Sequence, residues 1–416
     1  MEKKRREPLT PGAPRAKAPG MALPDRFGPP PDVDVAVVIA RAEAAAGASI
    51  WATPGGGPGD IPAERVAGPK DAIRAAVARA LAGGRASALI GPDEILDALP
   101  ALREAAAQRA PILVHSVERR GGASLGRDEI ATSLDVGAGV LVTWSAQDAA
   151  DVTLSARRAA EDSETPFLHI HDGPPAAGPG FGAATTIPDA ALAARFLGGE
   201  RERERPARSS EEPGAPFTGG GGGDLGEGAP RYSPEVQRKR AERAFAARVP
   251  FALAGAMRQL GELTGRSAAP VERWETADAE EVVLAVGSAL PAASEVVRAL
   301  REQGRRVGLI GVRALRPFYG AELVKALGRS SAVVVVEPFD IALAPWGPLA
   351  TSLKAALVDA LTWAPGYPGV GRIPPVISTT FATIDGAITE RDIRLSLAEI
   401  ASGERARRVL VLGSDG

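Results

Sequence analysis

Short apolar, β-branched runs alternate along the chain with segments whose apolar positions recur every three or four residues. The pattern is clearest over residues 280–338. The run 282–286 stops at Gly287-Ser288, and Ala293, Val296, Val297 and Leu300 then follow at helical spacing up to Gly304. A second run (307–312), a helical segment (321–327) and a third run (332–336) complete the unit. Runs of this length bounded by turn residues predict buried strands, and helices between them predict βαβ crossovers in a parallel sheet. In such sheets ligands meet the carboxyl ends of the strands, which here carry Gly287-Ser288, Arg313 and Glu337.

The same alternation fills the first part of the chain. Helices are predicted over 33–46, 68–83, 93–109, 130–136 and 147–160, and strands over 49–51, 86–90, 111–117, 140–144 and 165–170. Residues 52–60 (ATPGGGPGD) and 118–128 read as loops. Further on, residues 232–265 read as one or two helices. After the opening unit of the second sheet come a helix ending near Trp363, a strand at 376–380, a helix at 389–401 and a strand at 409–412. The expectation is an α/β protein of two doubly wound, mostly parallel-sheet domains, at 33–173 and 231–408. A Pro/Gly/basic tail (1–32) precedes them and is expected to be disordered. The Pro/Gly-rich segment 174–230, with RERERPAR and five glycines at 219–223, reads as a flexible linker that spans roughly 40 Å. Within it an apolar helical turn is expected at 190–197.

Composition narrows the chemistry. A net charge of −2 gives no general attraction to nucleic acid or membrane, and no apolar run reaches bilayer length. The first residues, EKKRRE, lack the apolar stretch of a secretory signal, so a cytoplasmic setting is expected. The chain has no cysteine, so it offers neither a disulfide nor thiolate ligands for zinc or an iron–sulfur cluster. Three histidines exist: His115, His169 and His171. The last two share a strand face in LHIHD, yet no third ligand converges on them, so a hydrogen-bonded strand end is expected and no metal site. The glycine loop 53–57 offers backbone N–H groups to an anion, and Arg119-Arg120 at a strand end offer a fork for a carboxylate.

Several stretches, in order, resemble pyruvate:ferredoxin oxidoreductase, a thiamine-diphosphate-dependent 2-oxoacid oxidoreductase. SIWATPGGGPGDIPAE (49–64) is similar to a family strand and loop of the pattern YPITPSSP, and TPFLHIHDG (165–173) to the family's PFLHFFDG. ELTGR (262–266), EEVVLAVGS, VGLIGVRALRPF, WGPLATSLKAAL and ITERDIRLSLAEI follow, and the terminal GSDG resembles the turn that opens a gamma-type third domain, truncated here at 409–416. The resemblance implies a pyrimidine-side thiamine diphosphate domain followed by a transketolase C-terminal-like domain. It implies gamma- and beta-type partner chains, a ferredoxin or flavodoxin, and an oligomer. It places Thr53 and Arg119 on the substrate carboxylate. One position departs: where the family has the Glu that protonates the aminopyrimidine, this chain has Lys70, and Glu64 lies six residues upstream across Gly68-Pro69. A positioned proton-transfer group is worth on the order of 10²–10⁴ in rate, so the site is expected to be degenerate, with no intact catalytic residue. The alternatives are a non-catalytic scaffold or regulatory paralogue, and a generic nucleotide-binding α/β protein resting on Gly287-Ser288 and GSDG.

Overall fold

The computed structural model describes residues 34–59, 61–117, 128–172, 185–199, 234–328, 330–339, 341, 343–381, 388–402 and 409–412. The expected disordered tail, Arg119 and Arg120, most of the expected linker and the terminal GSDG lie outside the described residues.

Among the described residues there are thirteen strands and twelve α-helices, largely in the alternation the pattern predicts. The first part runs α1 (Val35–Ala45), β1 (Ser49–Ala52), β2 (Glu64–Arg65), α2 (Pro69–Leu81), β3 (Ala86–Ile90), α3 (Ile95–Ala107), β4 (Leu113–Val117), α4 (Asp128–Ser133), β5 (Gly139–Thr143), α5 (Ala146–Ser163), β6 (Phe167–His171) and α6 (Ala190–Leu197). Then come α7 (Pro234–Ala246), α8 (Val249–Thr264), β7 (Val271–Trp274), β8 (Glu281–Val286), α9 (Ala289–Glu302), β9 (Val307–Val312), β10 (Ala314–Arg316), α10 (Gly320–Leu327), β11 (Ala332–Glu337), α11 (Pro348–Leu361), β12 (Val376–Phe381), α12 (Glu390–Ala401) and β13 (Val409–Leu412). Local chemistry sets the helix starts. Asp34 accepts from the Ala36 amide at 2.8 Å, Ser145 from that of Asp148 at 3.1 Å, and Thr389 and Asp392 cap each other's backbone at the start of α12.

Two sheets result. The seven-stranded sheet has the order β10-β5-β6-β4-β3-β1-β2, and the six-stranded sheet β13-β12-β11-β8-β9-β7. All pairings are parallel except two at the edges, β7 on β9 and β10 on β5. Strands β3 to β6 and β9, β11 and β12 are buried along their whole length, as expected for parallel strands covered by helices on both faces.

No strand is expected at residues 313–320, the connection after β9. The structure makes a strand of Ala314–Arg316 and adds it to the other sheet, with Ala314 opposite Leu141 and Arg316 opposite Val140. The second half of the chain therefore supplies an edge of the first sheet. Buried residues of both sheets, from Val114, Val142 and Ile170 to Val282, Leu284 and Val312, belong to one continuous apolar cluster. Helices α5 and α8 add a second apolar contact through Val152, Ala156, Leu253, Met257 and Leu260, joined by Ala193, Phe196 and Leu197 of α6. The Arg266 guanidinium, just beyond α8, forks onto Asp151 of α5 with both contacts at 2.7 Å. Among the described residues no helix is long and apolar enough to cross a membrane.

Candidate functional site

The carboxyl ends of β1 and β3 lie side by side, and the glycine loop leaves the sheet there. The Thr53 amide donates to Leu89 O at 3.0 Å, extending the ladder one residue, and the Gly56 amide donates back to Thr53 O at 3.0 Å. Only glycine fits at position 56, because a Cβ would stand 1.9 Å from Leu89 O. Arg65 of β2 pins the loop from outside, donating to Thr53 O at 3.1 Å, to Gly57 O at 3.3 Å and to Pro58 O. These carbonyls face a guanidinium, and the Thr53 hydroxyl turns to the other, inner side of the loop.

That inner side holds a carboxylate of the chain itself. The buried Thr53 hydroxyl donates to Glu94 Oε2, and the Gly91 amide donates to the same oxygen at 2.6 Å. Two glycines make the room. A Cβ on Gly55 would lie 2.8 Å from Glu94 Oε2, and one on Gly91 would lie 3.2 Å from Gly55 Cα. From the sequence Glu94 is expected only as part of the helix over 93–109. Its sign was its place at the end of a buried strand, after the Gly91-Pro92 turn and opposite the loop.

Lys70 is the second residue of α2, behind Pro69, and its side chain is exposed. Glu64 is also exposed, in register with Trp51 on the neighbouring strand, and accepts that residue's indole N–H at 2.9 Å. Thr53, Glu64 and Lys70 thus belong to three successive elements around the end of β1, whereas Arg119 lies outside the described residues. Among the described residues around the end of β1, three side chains bear on the carboxylate that the family resemblance calls for. Lys70 brings a cation, Glu64 is engaged by Trp51, and Glu94 is engaged by Thr53 and Gly91.

The three histidines lie within the first sheet. His115 and His169 face each other across β4 and β6, with their Nδ1 atoms 3.0 Å apart. His115 Nε2 meets Glu43 Oε1 at 2.8 Å, and Glu43 also accepts both Arg157 contacts at 2.7 Å. Burial alone would raise the Glu43 pKa, but Arg157 and His115 more than offset it and hold the carboxyl below its ordinary range. Burial, with the two neighbouring histidines, pushes His169 well below its ordinary value, so it is neutral. His169 Nε2 contacts Thr143 Oγ1 at 2.9 Å, which contacts His171 Nδ1 at 3.2 Å. The three rings, Thr143, Glu43 and Arg157 thus form one continuous buried chain of contacts. Glu43 and Arg157, on α1 and α5, are not singled out by the sequence, because a helix carboxylate and a helix guanidinium carry no local signature of burial.

The strand ends of the second sheet are also engaged. Asp172, at the end of β6, accepts from the Ser288 amide at 2.9 Å and hydroxyl at 3.1 Å, and a Cβ on Gly287 would stand 2.1 Å from its Oδ2. Arg313 donates to Asp148 Oδ1 at 2.6 Å and to Ala269 O at 3.0 Å, pairs with Glu272 Oε1 at 2.5 Å and packs 4.1 Å from the Trp144 ring. Burial lifts Asp148 to a pKa of about 6 against the pull of Arg313. Glu337 accepts from the Leu349 and Ala350 amides at 2.8 and 3.2 Å, capping α11, and burial lifts it to about 7.

Comparison with known proteins adds a lineage to this geometry. Residues 70–219 match the family described as pyruvate flavodoxin/ferredoxin oxidoreductase, thiamine diphosphate-binding, and residues 279–369 match pyruvate:ferredoxin oxidoreductase core domain II. The chain is 36% identical over 104 residues to pyruvate synthase subunit PorA of Methanothermobacter thermautotrophicus, covering 25% of this chain and 27% of that protein. It is 25% identical over 214 residues to a pyruvate-flavodoxin oxidoreductase of Nostoc, covering 50% of this chain and 16% of that one. It is 40% identical over 74 residues to the alpha subunit of NADH-dependent phenylglyoxylate dehydrogenase of Aromatoleum evansii, 18% of each. Each match spans well under two thirds of the relative's length. Among solved structures, 2-oxoglutarate:ferredoxin oxidoreductase from Magnetococcus marinus superposes with a TM-score of 0.56 at 16% identity, over 89% of this chain and 65% of that one. A split-gene transketolase superposes at 0.52 with 13% identity, over 90% and 99%. At these identities both show the fold alone.

Proposed function

Because the chain belongs to the alpha-type, N-terminal region of the pyruvate:ferredoxin oxidoreductase family, we propose that it is the alpha-type component of a 2-oxoacid:ferredoxin oxidoreductase. In this reading it works with gamma- and beta-type chains and a ferredoxin or flavodoxin. The observation that carries the reading is the presence of both family domains in order. The edge strand β10, which fixes the two sheets to each other, supports it. With no cysteine in this chain, electrons from a 2-oxoacid would leave through clusters on partner chains. Thr53, and Arg119 by its place after β4, are the residues we assign to the substrate carboxylate. Thiamine diphosphate, if it binds the assembly, supplies the carbanion chemistry; this chain would shape and close the site. Lys70 would not relay the proton that a carboxylate relays.

The test is reconstitution with the gamma- and beta-type chains. Co-purification and pyruvate-dependent reduction of ferredoxin on addition of thiamine diphosphate are expected of a working component. Failure of the chains to assemble would end the reading. Assembly without reduction would favour the scaffold or regulatory reading, which Lys70 and the occupied Thr53 hydroxyl support. Lys70→Glu separates the two: restored thiamine-dependent reduction marks an impaired enzyme, and none marks a scaffold.

A further inference from the structure

Helix α8 packs on α5, and the chain turns back sharply at its carboxyl end. Gly265 closes the helix in the left-handed region at φ 72°, and a Cβ on Gly261 would stand 2.8 Å from Arg266 O. The segment leading into β7 therefore doubles back beside α8. Tyr319, between β10 and α10, donates to Pro250 O at 2.7 Å and ties that connection to the start of the same helix. These elements enclose a cavity of about 550 Å³, within the size range of small-molecule sites, which favour junctions of this kind. Buried Met257 and Pro270 and the half-buried Tyr319 form its apolar floor, and exposed Arg258, Glu262 and Glu322 stand at its rim.

We propose that this cavity binds a free α-amino acid with an aliphatic or aromatic side chain. Arg258 takes the carboxylate, Glu262 and Glu322 take the ammonium, and the floor takes the side chain. Arg258 and Glu262 are one helical turn apart, a spacing at which opposite charges ordinarily pair. Among the described residues they make no ion pair with each other, and Glu322 makes none either. Three charges of both signs thus face one cavity. A simple carboxylate at Arg258 would meet two like charges, and a simple amine between the glutamates would meet the guanidinium. A molecule with both charges on neighbouring carbons answers all three groups. Burial, with the Glu322 charge added to it, raises the Tyr319 pKa, so that glutamate's field reaches the floor. Rim charges that served solubility alone would explain the exposure of these groups, but not the buried apolar floor between them. Because α8 packs on α5 and β10 is an edge of the first sheet, an occupant would brace the junction of the two sheets. The proposal uses no part of the 2-oxoacid chemistry and stands apart from it.

Thermal unfolding of the full chain, together with isothermal titration calorimetry, tests it with L-leucine, L-methionine and L-phenylalanine as probes. At least one is expected to raise the melting temperature saturably, by about 2–4 °C at roughly 100-fold its dissociation constant. The deaminated and decarboxylated analogues of the responding amino acid (for phenylalanine, 3-phenylpropionate and 2-phenylethylamine) should give no saturable shift. Arg258→Gln and Glu262→Gln change exposed side chains, so both should melt like wild type in buffer and bind the amino acid at least about tenfold more weakly. The proposal is overturned if none of the three amino acids shifts the melting temperature. It is equally overturned if an analogue lacking one charge binds as well as its parent, or if either variant keeps wild-type affinity.

Discussion

Replacing Arg313 by alanine should loosen the junction of the two sheets more than any exposed ion pair could. The guanidinium lies between Asp148 and Glu272, with side-chain exposure of 5%, 6% and 6% for the three groups. Its backbone carbonyl also accepts from the Val142 amide at 2.8 Å, beside the β10–β5 pairing. Removing one partner of a buried ionic cluster leaves uncompensated charge and costs about 3–5 kcal/mol. The cost should depend on pH. Asp148 has a folded pKa of about 6 against 3.8 unfolded, so its contribution is fully present below the unfolded value and is lost as pH rises through 6. Without Arg313 its folded pKa climbs further, and the variant should therefore be penalised more at pH 8 than at pH 5. Urea unfolding at both pH values gives the difference, and hydrogen exchange at the Val142 amide reports whether the junction opens first. A loss under about 1 kcal/mol, equal at both pH values, would refute the view that this cluster holds the sheets together.

Other expectations follow from the same geometry. Glu337→Gln should flatten the pH dependence of stability between about 4.5 and 7, since a carboxyl raised to about 7 contributes most below its unfolded value; at that site wild type loses roughly 3 kcal/mol over the window, which denaturant titrations of both proteins would reveal. Glu43→Gln strands the fully buried Arg157 and should cost about 3–5 kcal/mol, whereas Glu43→Met with Arg157→Met should recover part of it, a contrast read by thermal unfolding. Gly56→Ala drives a Cβ into Leu89 O and should cost roughly 1–3 kcal/mol with faster exchange at the Thr53 amide, while Gly59→Ala, with nothing within 4 Å of the added atom, should change stability by less than about 0.5 kcal/mol.

Most strands were legible because they are buried from end to end, so continuous apolar runs mark them without ambiguity. Residues 232–265 resolve into α7 and α8, and the apolar turn expected at 190–197 is α6, whose Phe196 and Leu197 pack against α5 and α8. The strands that escaped notice, β2, β7 and β10, are two, four and three residues long. At that length no periodicity can be counted, and β10 exists only because β5 offers an open edge far away in sequence. Arg313 was legible as a strand-end cation, but not as a buried clamp. Its partners Asp148 and Glu272 lie on α5 and β7, and only the packing of the two sheets brings them within reach. Glu94 was hidden for a related reason, since its partner Thr53 lies across the gap between β1 and β3.

The strand ends of an α/β sheet are where amide donors and glycine loops accumulate, and an anion is what such a place attracts. In this chain three of them have been filled from within: Glu94 on the loop after β1, Asp172 on the loop after β8, and Glu337 at the start of α11. At Gly287 and Gly347 an added Cβ would stand 2.1 and 2.0 Å from the resident carboxylate, so at these two glycines the backbone is fitted closely to its occupant. A phosphate at Gly287-Ser288 would meet the Asp172 charge directly, which counts against that half of the generic nucleotide-binding alternative; its other half, GSDG, lies outside the described residues. Two unit charges 4 Å apart still repel by about 4 kcal/mol at the effective dielectric of a protein surface. An external anion must therefore displace an internal one. Asp172 and Glu337 are too deeply buried to leave without opening the core.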